Sequence, residues 1–196
     1  MVRIAHSTLL LAAVVPALAT AAGPDKVPRI SSLQFSGSGC PNSSGSVRSS
    51  GDALGDTQCF TFSQLGSDTT ENCEIHVQGT GASSGWQVAV QGVTYKGDVR
   101  LTPGTQLDYF TQIYWSENAA ATATLSGHVI CAGPNAVKDA VTIQQTVAAS
   151  DAAWSKCIGD DGNTGILNVN FRPAVSGNDG HFDFNSADWN FQWRRC

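Results

Sequence analysis

The side chains of this sequence that can carry chemistry are few and widely spread. Only three glutamates occur, Glu71, Glu74 and Glu117. Glycoside hydrolysis needs two carboxyl groups across a sugar, roughly 5–10 Å apart. Asp108, Asp183 and Asp188 lie in or beside aromatic runs and offer such a pair, although acids on the solvent faces of any β protein look the same. Glu74/His76 and His181/Asp183 are each spaced i, i+2, which puts both members on one face of a strand. Brought together, they would supply histidine and carboxylate ligands to a metal; His76 alone decorates the polar side of its strand. "GDDGNTG" offers Asp160, Asp161 and Asn163 as oxygen ligands for calcium. It lacks the spacing of an EF-hand loop, and Asp-Gly-Asn clusters are ordinary turn chemistry. Phe110 and Tyr114 point the same way along one run, and two aromatics on an outer face can stack on sugar rings. Asn42-Ser43-Ser44 is an N-glycosylation sequon.

The elements that must position these groups alternate with period two. "WNFQWRRC" sets Trp189, Phe191 and Trp193 against Asn190, Gln192 and Arg194. "LNVNFR" opposes Leu167, Val169 and Phe171 to Asn168, Asn170 and Arg172, and "CEIHVQ" opposes Cys73, Ile75 and Val77 to Glu74, His76 and Gln78. "WQVAV" aligns Trp86, Val88 and Val90. "LDYFTQIYW" aligns Leu107, Tyr109, Ile113 and Trp115, with Phe110 and Tyr114 on the reverse face. Such alternation specifies strands with one buried face. Glycine-rich residues 79–85 read as a hairpin loop, residues 102–104 as a turn, and residues 133–135 as a break between two further strands. "AASDAAW" has room for one short helical turn. The Ser/Gly-rich stretch 43–56 reads as a long exposed loop. Eight to ten strands with this punctuation predict an all-β fold, an antiparallel β-sandwich of jelly-roll or related barrel type.

Residues 1–21 have the form of a secretory signal peptide: Arg3, an apolar run from Thr8 to Val15, then Pro16 and small-residue sites ending at Ala19 and Ala21. The apolar run is too short to span a bilayer. Residues 22–196 are then one secreted domain, large enough for a sizeable core. The chain carries 11 basic and 16 acidic residues, and its charged fraction is only 14%. No basic block is present, which speaks against nucleic acid. Its polarity comes from Ser, Thr, Gly, Asn and Gln, as suits an extracellular β protein.

Six cysteines, Cys40, Cys59, Cys73, Cys131, Cys157 and Cys196, make an even set. In a secreted chain that reads as three disulfides, with fifteen connectivities open. Neither C-x-x-C nor H-x-x-x-H occurs, so no zinc signature is present. Chain ends usually fray, so a cysteine at position 196, after three aligned aromatics, predicts that a core strand is fastened there.

"GSGCP", "NCEI", the stretch from Trp86 through "YKGDVRLTPG", "WSKC", "LNVN" and "QWRRC" occur in that order. Together they resemble a family of small secreted fungal proteins, the DUF4360 domain of unknown function, over nearly the whole mature chain. The resemblance implies a fungal, extracellular setting and the pairs Cys40–Cys73 and Cys157–Cys196, with Cys59–Cys131 as an additional pair. A Cys157–Cys196 bridge would contribute about 2–4 kcal/mol. The family brings no active site.

The expected protein is therefore secreted, monomeric and non-catalytic, a disulfide-stabilised binding protein acting at a host interface. Its partner is a host extracellular protein or a cell-wall glycan, with no cofactor, metal, membrane or nucleic acid. One alternative is an inhibitor of host papain-type cysteine proteases that inserts residues 79–85 and 43–56 into a cleft. Another is a carbohydrate-binding protein or glycan-cleaving enzyme of the cell wall.

Overall fold

A computed structural model describes residues 23–196. The signal-peptide expectation for residues 1–21 lies outside the described residues. Ten strands follow one another: β1 (Arg29–Ser36), β2 (Val47–Ser49), β3 (Thr57–Ser67), β4 (Cys73–Thr80), β5 (Trp86–Leu101), β6 (Gln106–Trp115), β7 (Ala123–Ile130), β8 (Val137–Thr146), β9 (Ile166–Ser176) and β10 (Gly180–Arg195). Two single 3-10 turns, Ser116–Asn118 and Ala149–Asp151, interrupt them.

The strands form two five-stranded antiparallel sheets, ordered β1-β4-β9-β6-β7 and β2-β3-β10-β5-β8. β3 pairs with β10, β4 with β9, β5 with β8 and β6 with β7. These eight strands are thus one long hairpin, first with last and inward, rolled so that successive pairs fall in alternate sheets. That is a jelly roll, to which β1 and β2 add an edge strand each. The rolled pairing corrects two local expectations. Residues 79–85 are not a hairpin loop, because β4 and β5 belong to different sheets. Their backbone crosses the end of the sandwich, with Ala82 N bonded to Gly162 O, Ser83 N to Lys26 O and Gly85 N to Ile158 O. Stretch 43–56 is not all loop: β2 extends the second sheet, and Ser46, Val47 and Leu54 are buried.

Two bulges keep the apolar phase of the long strands. β10 and β5 shift register at Phe184/Ser186 and again at Asn190/Phe191. Trp86, Val88 and Val90 therefore share the inner face with Val93, Tyr95, Val99 and Leu101, although an odd step separates the two groups. Without the extra residue, a slip of one would turn half of β5 inside out. Gly97 lies where β10 bends: a Cβ there would run into Asp183 O.

The inner faces interdigitate through aromatic rings. Tyr95 of the second sheet stacks on Phe171 of the first at 3.7 Å between centroids, and the edge of Phe184 meets Phe171 at 5.1 Å. Phe60 and Trp189 pack at 4.3 Å. All five rings are buried, so each contributes its apolar area as well as ring-to-ring geometry. Buried Thr111 also joins the sheets, its Oγ1 donating to Gln145 Oε1 at 2.5 Å and lying 3.3 Å from Tyr95 Oη.

Two disulfides form, Cys40–Cys73 and Cys157–Cys196, with Cα separations of 5.2 and 5.9 Å. The third expected pair does not: Cys59 and Cys131 are free thiols. Cys59 lies between the buried Gln58 and Phe60 of β3 and so faces outward from the second sheet. Cys131 follows β7 of the first sheet and is buried in the core. A bridge requires Cα atoms within about 7 Å and Cβ vectors that converge, which an outward position on one sheet and an inward one beside the other do not provide.

β10 occupies the middle of its sheet, and Cys157–Cys196 fastens its end across a sequence separation of 39 residues. Arg194 stacks over Trp154 at 4.0 Å and Arg195 over Trp86 at 4.1 Å, one on each side of the strand. Cys196→Ser is expected to lower the unfolding free energy by about 2–4 kcal/mol. Urea denaturation under oxidising conditions measures this, and an unchanged midpoint would show that the two stacked arginines hold β10 alone.

Candidate functional site

The outer faces of the two sheets differ in kind. The second sheet presents hydroxyls and ion pairs, such as Lys96–Asp188 at 2.7 Å and Arg100–Asp179 at 2.9 Å. The first presents aromatic and planar amide groups. Phe110 on β6 is 45% exposed, the one aromatic ring so exposed among the described residues. Its outward placement follows from the alternation of β6, in which Leu107, Ile113 and Trp115 are committed to the core.

The strand register sets the neighbours of Phe110 in rows. Phe110 lies opposite Arg172 of β9 and Ser126 of β7, and Gln112 lies opposite Asn170 and Thr124. Asn168 lies between Tyr114 and His76. Thr70, Phe110, Gln112, Thr124, Arg172 and Ala174 line a shallow depression of about 340 Å³. Beside it the polar groups are held by one another. Tyr114 Oη donates to Glu74 Oε1 at 2.6 Å, which pushes the phenol up to about 12 and keeps it a donor. His76 Nδ1 donates to Asn168 Oδ1 at 2.6 Å, while its Nε2 lies 3.3 Å from Ser36 Oγ, from which it accepts. Asn168 Nδ2 donates in turn to Ser116 Oγ at 2.8 Å. Asn170 Oδ1 is buried and has no partner. The arrangement is a rigid polar lattice beside a bare ring, with one acceptor left over.

The other candidates fall elsewhere. Glu74/His76 lie on β4 of the first sheet and His181/Asp183 on β10 of the second, so the two pairs are not brought together. His181 Nδ1 pairs instead with Asp68 at 2.7 Å. No group of three metal-ligating side chains occurs among the described residues. Asp108 is likewise on the opposite sheet from Asp183 and Asp188. Gln106 Nε2 donates to it at 2.6 Å, and Ser176 Oγ lies 3.5 Å away. Asp183 has Asp98 as its cross-strand neighbour on β5. Glu117 accepts from the Ile166 amide, and Glu71 binds Pro173 O through its own amide. Asp161 and Asn163 cap their own loop, accepting from the amides of Asn163 and Gly165. Asn42 is exposed in a turn next to Ser43, which has a φ of 60°. Residues 79–85 are pinned at five points of their backbone and do not project as a free loop. Arg172, Gln112 and Thr124 were not singled out from sequence. The only signal for Arg172 was its place on the polar side of "LNVNFR".

The DUF4360 family model, described as a domain of unknown function, matches residues 26–196. The chain belongs to the DUF4360 family. No curated protein matches it. Among solved structures, this DUF4360 domain is similar to TmCBM61 in complex with β-1,4-galactotriose, at 11% identity over 86% of this chain and 91% of that one, with a TM-score of 0.29. The enzymatically active domain of tailspike protein 4 of bacteriophage CBA120 is similar at 13% identity, over 85% of this chain and 20% of that one, with a TM-score of 0.21. Scores that low do not establish a shared fold.

Of the two free thiols of this DUF4360 domain, Cys59 is the partly exposed one. Burial pushes the Cys59 thiol up to about 11, and its hydrogen bond to Asp188 adds to the rise, against the opposing Lys96 ammonium. The thiolate is the nucleophile, so Cys59 is expected to react with iodoacetamide about tenfold faster per pH unit until pH nears 11, well past the free-cysteine range. Asp188→Asn removes two of the raising effects and should speed the reaction at pH 8. A wild-type rate that levels off near pH 9 contradicts this account.

Proposed function

We propose that this DUF4360 protein is a secreted, non-catalytic glycan-binding protein whose site is the outer face of the first sheet. The observation that carries the reading is Phe110, an exposed ring in a depression edged by Gln112, Thr124 and Arg172. A sugar has two kinds of surface, an apolar face of axial C–H groups and a rim of hydroxyls that both donate and accept. A bare ring matches the first and fixed amides and hydroxyls match the second. Because His76, Asn168, Tyr114 and Glu74 already hold one another, little side-chain entropy is lost on binding.

The non-catalytic part rests on how the carboxylates are engaged. Glycoside hydrolysis needs one carboxylic acid that donates a proton. On this face Glu74 accepts from Tyr114 and Asp108 from Gln106. Secretion is supported by the two disulfides, which persist in oxidising compartments, and no helix among the described residues is long and apolar enough to cross a membrane.

Affinity electrophoresis through gels containing soluble glucan, galactan or pectic glycans, with pull-down on chitin and cellulose, tests the proposal. We expect retention without product release. Phe110→Ala is expected to weaken it by about tenfold or more, the equivalent of losing ~1.4 kcal/mol of stacking. Thr61→Ala, on the other sheet, should change nothing. Equal retention of wild type and Phe110→Ala, or none at all, would overturn the site.

A further inference from the structure

We infer that the glycan taken by this face carries a carboxylate, a uronic acid residue, and that Arg172 is the group that selects it. The inference rests on the proposed glycan site and specifies its substrate class.

The charges on the face are unequally satisfied. Both of its acids have donors from within the chain: Tyr114 for Glu74 and Gln106 for Asp108. Arg172 has neither an ion pair nor a side-chain hydrogen bond among the described residues. It is exposed, and it lines the depression directly opposite Phe110 in the β6–β9 register. Glu71, whose amide bonds Pro173 O next to Arg172, packs its side chain beside Gly39 and forms no ion pair with Arg172. A guanidinium is held planar, always charged, and pairs with a carboxylate through two parallel hydrogen bonds. Neighbouring strands stand about 5 Å apart, which is the width of one pyranose ring. A sugar stacked on Phe110 therefore has its ring substituents within reach of Arg172, and a C5 carboxylate is the substituent that a guanidinium fits best. Gln112 and Thr124 remain on the other side for hydroxyls.

The net charge of the chain separates contact recognition from long-range attraction. At −5, the molecule as a whole repels a polyanion, so any preference for an acidic sugar must arise at Arg172 itself. It should accordingly appear with a single short oligosaccharide.

The test is calorimetric titration of the oxidised protein with trigalacturonate, its fully methyl-esterified form and neutral galactotriose. Wild type is expected to bind the free acid at least tenfold more tightly than the ester, because hydrogen bonds to charged groups are the stronger ones. Arg172→Gln should lose that preference while keeping the weaker binding of the ester. Arg172→Lys should restore part of it, since the charge returns without the two-pronged geometry. Phe110→Ala should weaken all three ligands. Equal affinity of wild type for acid and ester, with Phe110 still required, would overturn the carboxylate inference and leave the glycan site standing. Absence of binding to all three and to the wider glycan panel would overturn both. Thermal melts of each variant confirm that it is folded.

Discussion

The strand latest in sequence lies at the centre of a sheet, and the rest of the molecule is arranged around that constraint. β10 is hydrogen-bonded to β3 on one side and to β5 on the other, and its inner face carries Phe182, Phe184, Trp189 and Phe191. A central strand that came loose would expose two edges and four rings at once. The disulfide at Cys196 and the two arginine–tryptophan stacks are concentrated where that release would begin. The second disulfide, Cys40–Cys73, performs the same service for β4 in the other sheet by tying it to the chain that leads out of β1.

Once β10 is fixed, the sandwich leaves its two outer faces free to differ. The second sheet carries ion pairs on its outer face, Lys96–Asp188 and Arg100–Asp179 among them, which are worth little individually. The first sheet has a hydrogen-bonded lattice of His76, Asn168, Tyr114 and Glu74, with a ring and an uncompensated cation beside it. The core does not dictate that contrast, because β6 and β9 bury their alternate residues equally well whatever stands on the outside. Phe110 and Arg172, the residues of the proposed site, are therefore not by-products of core packing.

The alternation of "WNFQW", "LNVNFR" and "CEIHVQ" was legible because a period of two is a local property, and the all-β sandwich followed from it. Partnership between strands was not. A turn such as 79–85 uses the same glycines whether the chain doubles back or crosses to the opposite sheet, and β2 is three residues long within a Ser/Gly-rich stretch. The even cysteine count suggested a third bridge, but pairing depends on where Cβ atoms point, and Cys59 points out from β3. Of the site, Phe110 and Tyr114 stood out as aromatics on the wrong face of their strand. Arg172 did not, because its meeting with Phe110 exists only through the β6–β9 register.

The pairing of first strand with last also governs how the fold can be reached. β3 cannot find its partner until β10 has been made, and each nested pair waits on the one inside it, so almost every sheet contact spans a long stretch of chain. Closing such loops precedes the reward for them, and domains of this kind fold slowly. During the interval β3 and β5 both present open edges, and these invite pairing with other chains. The centre of the second sheet in this topology stays vacant until the last strand, Gly180–Arg195, has been made.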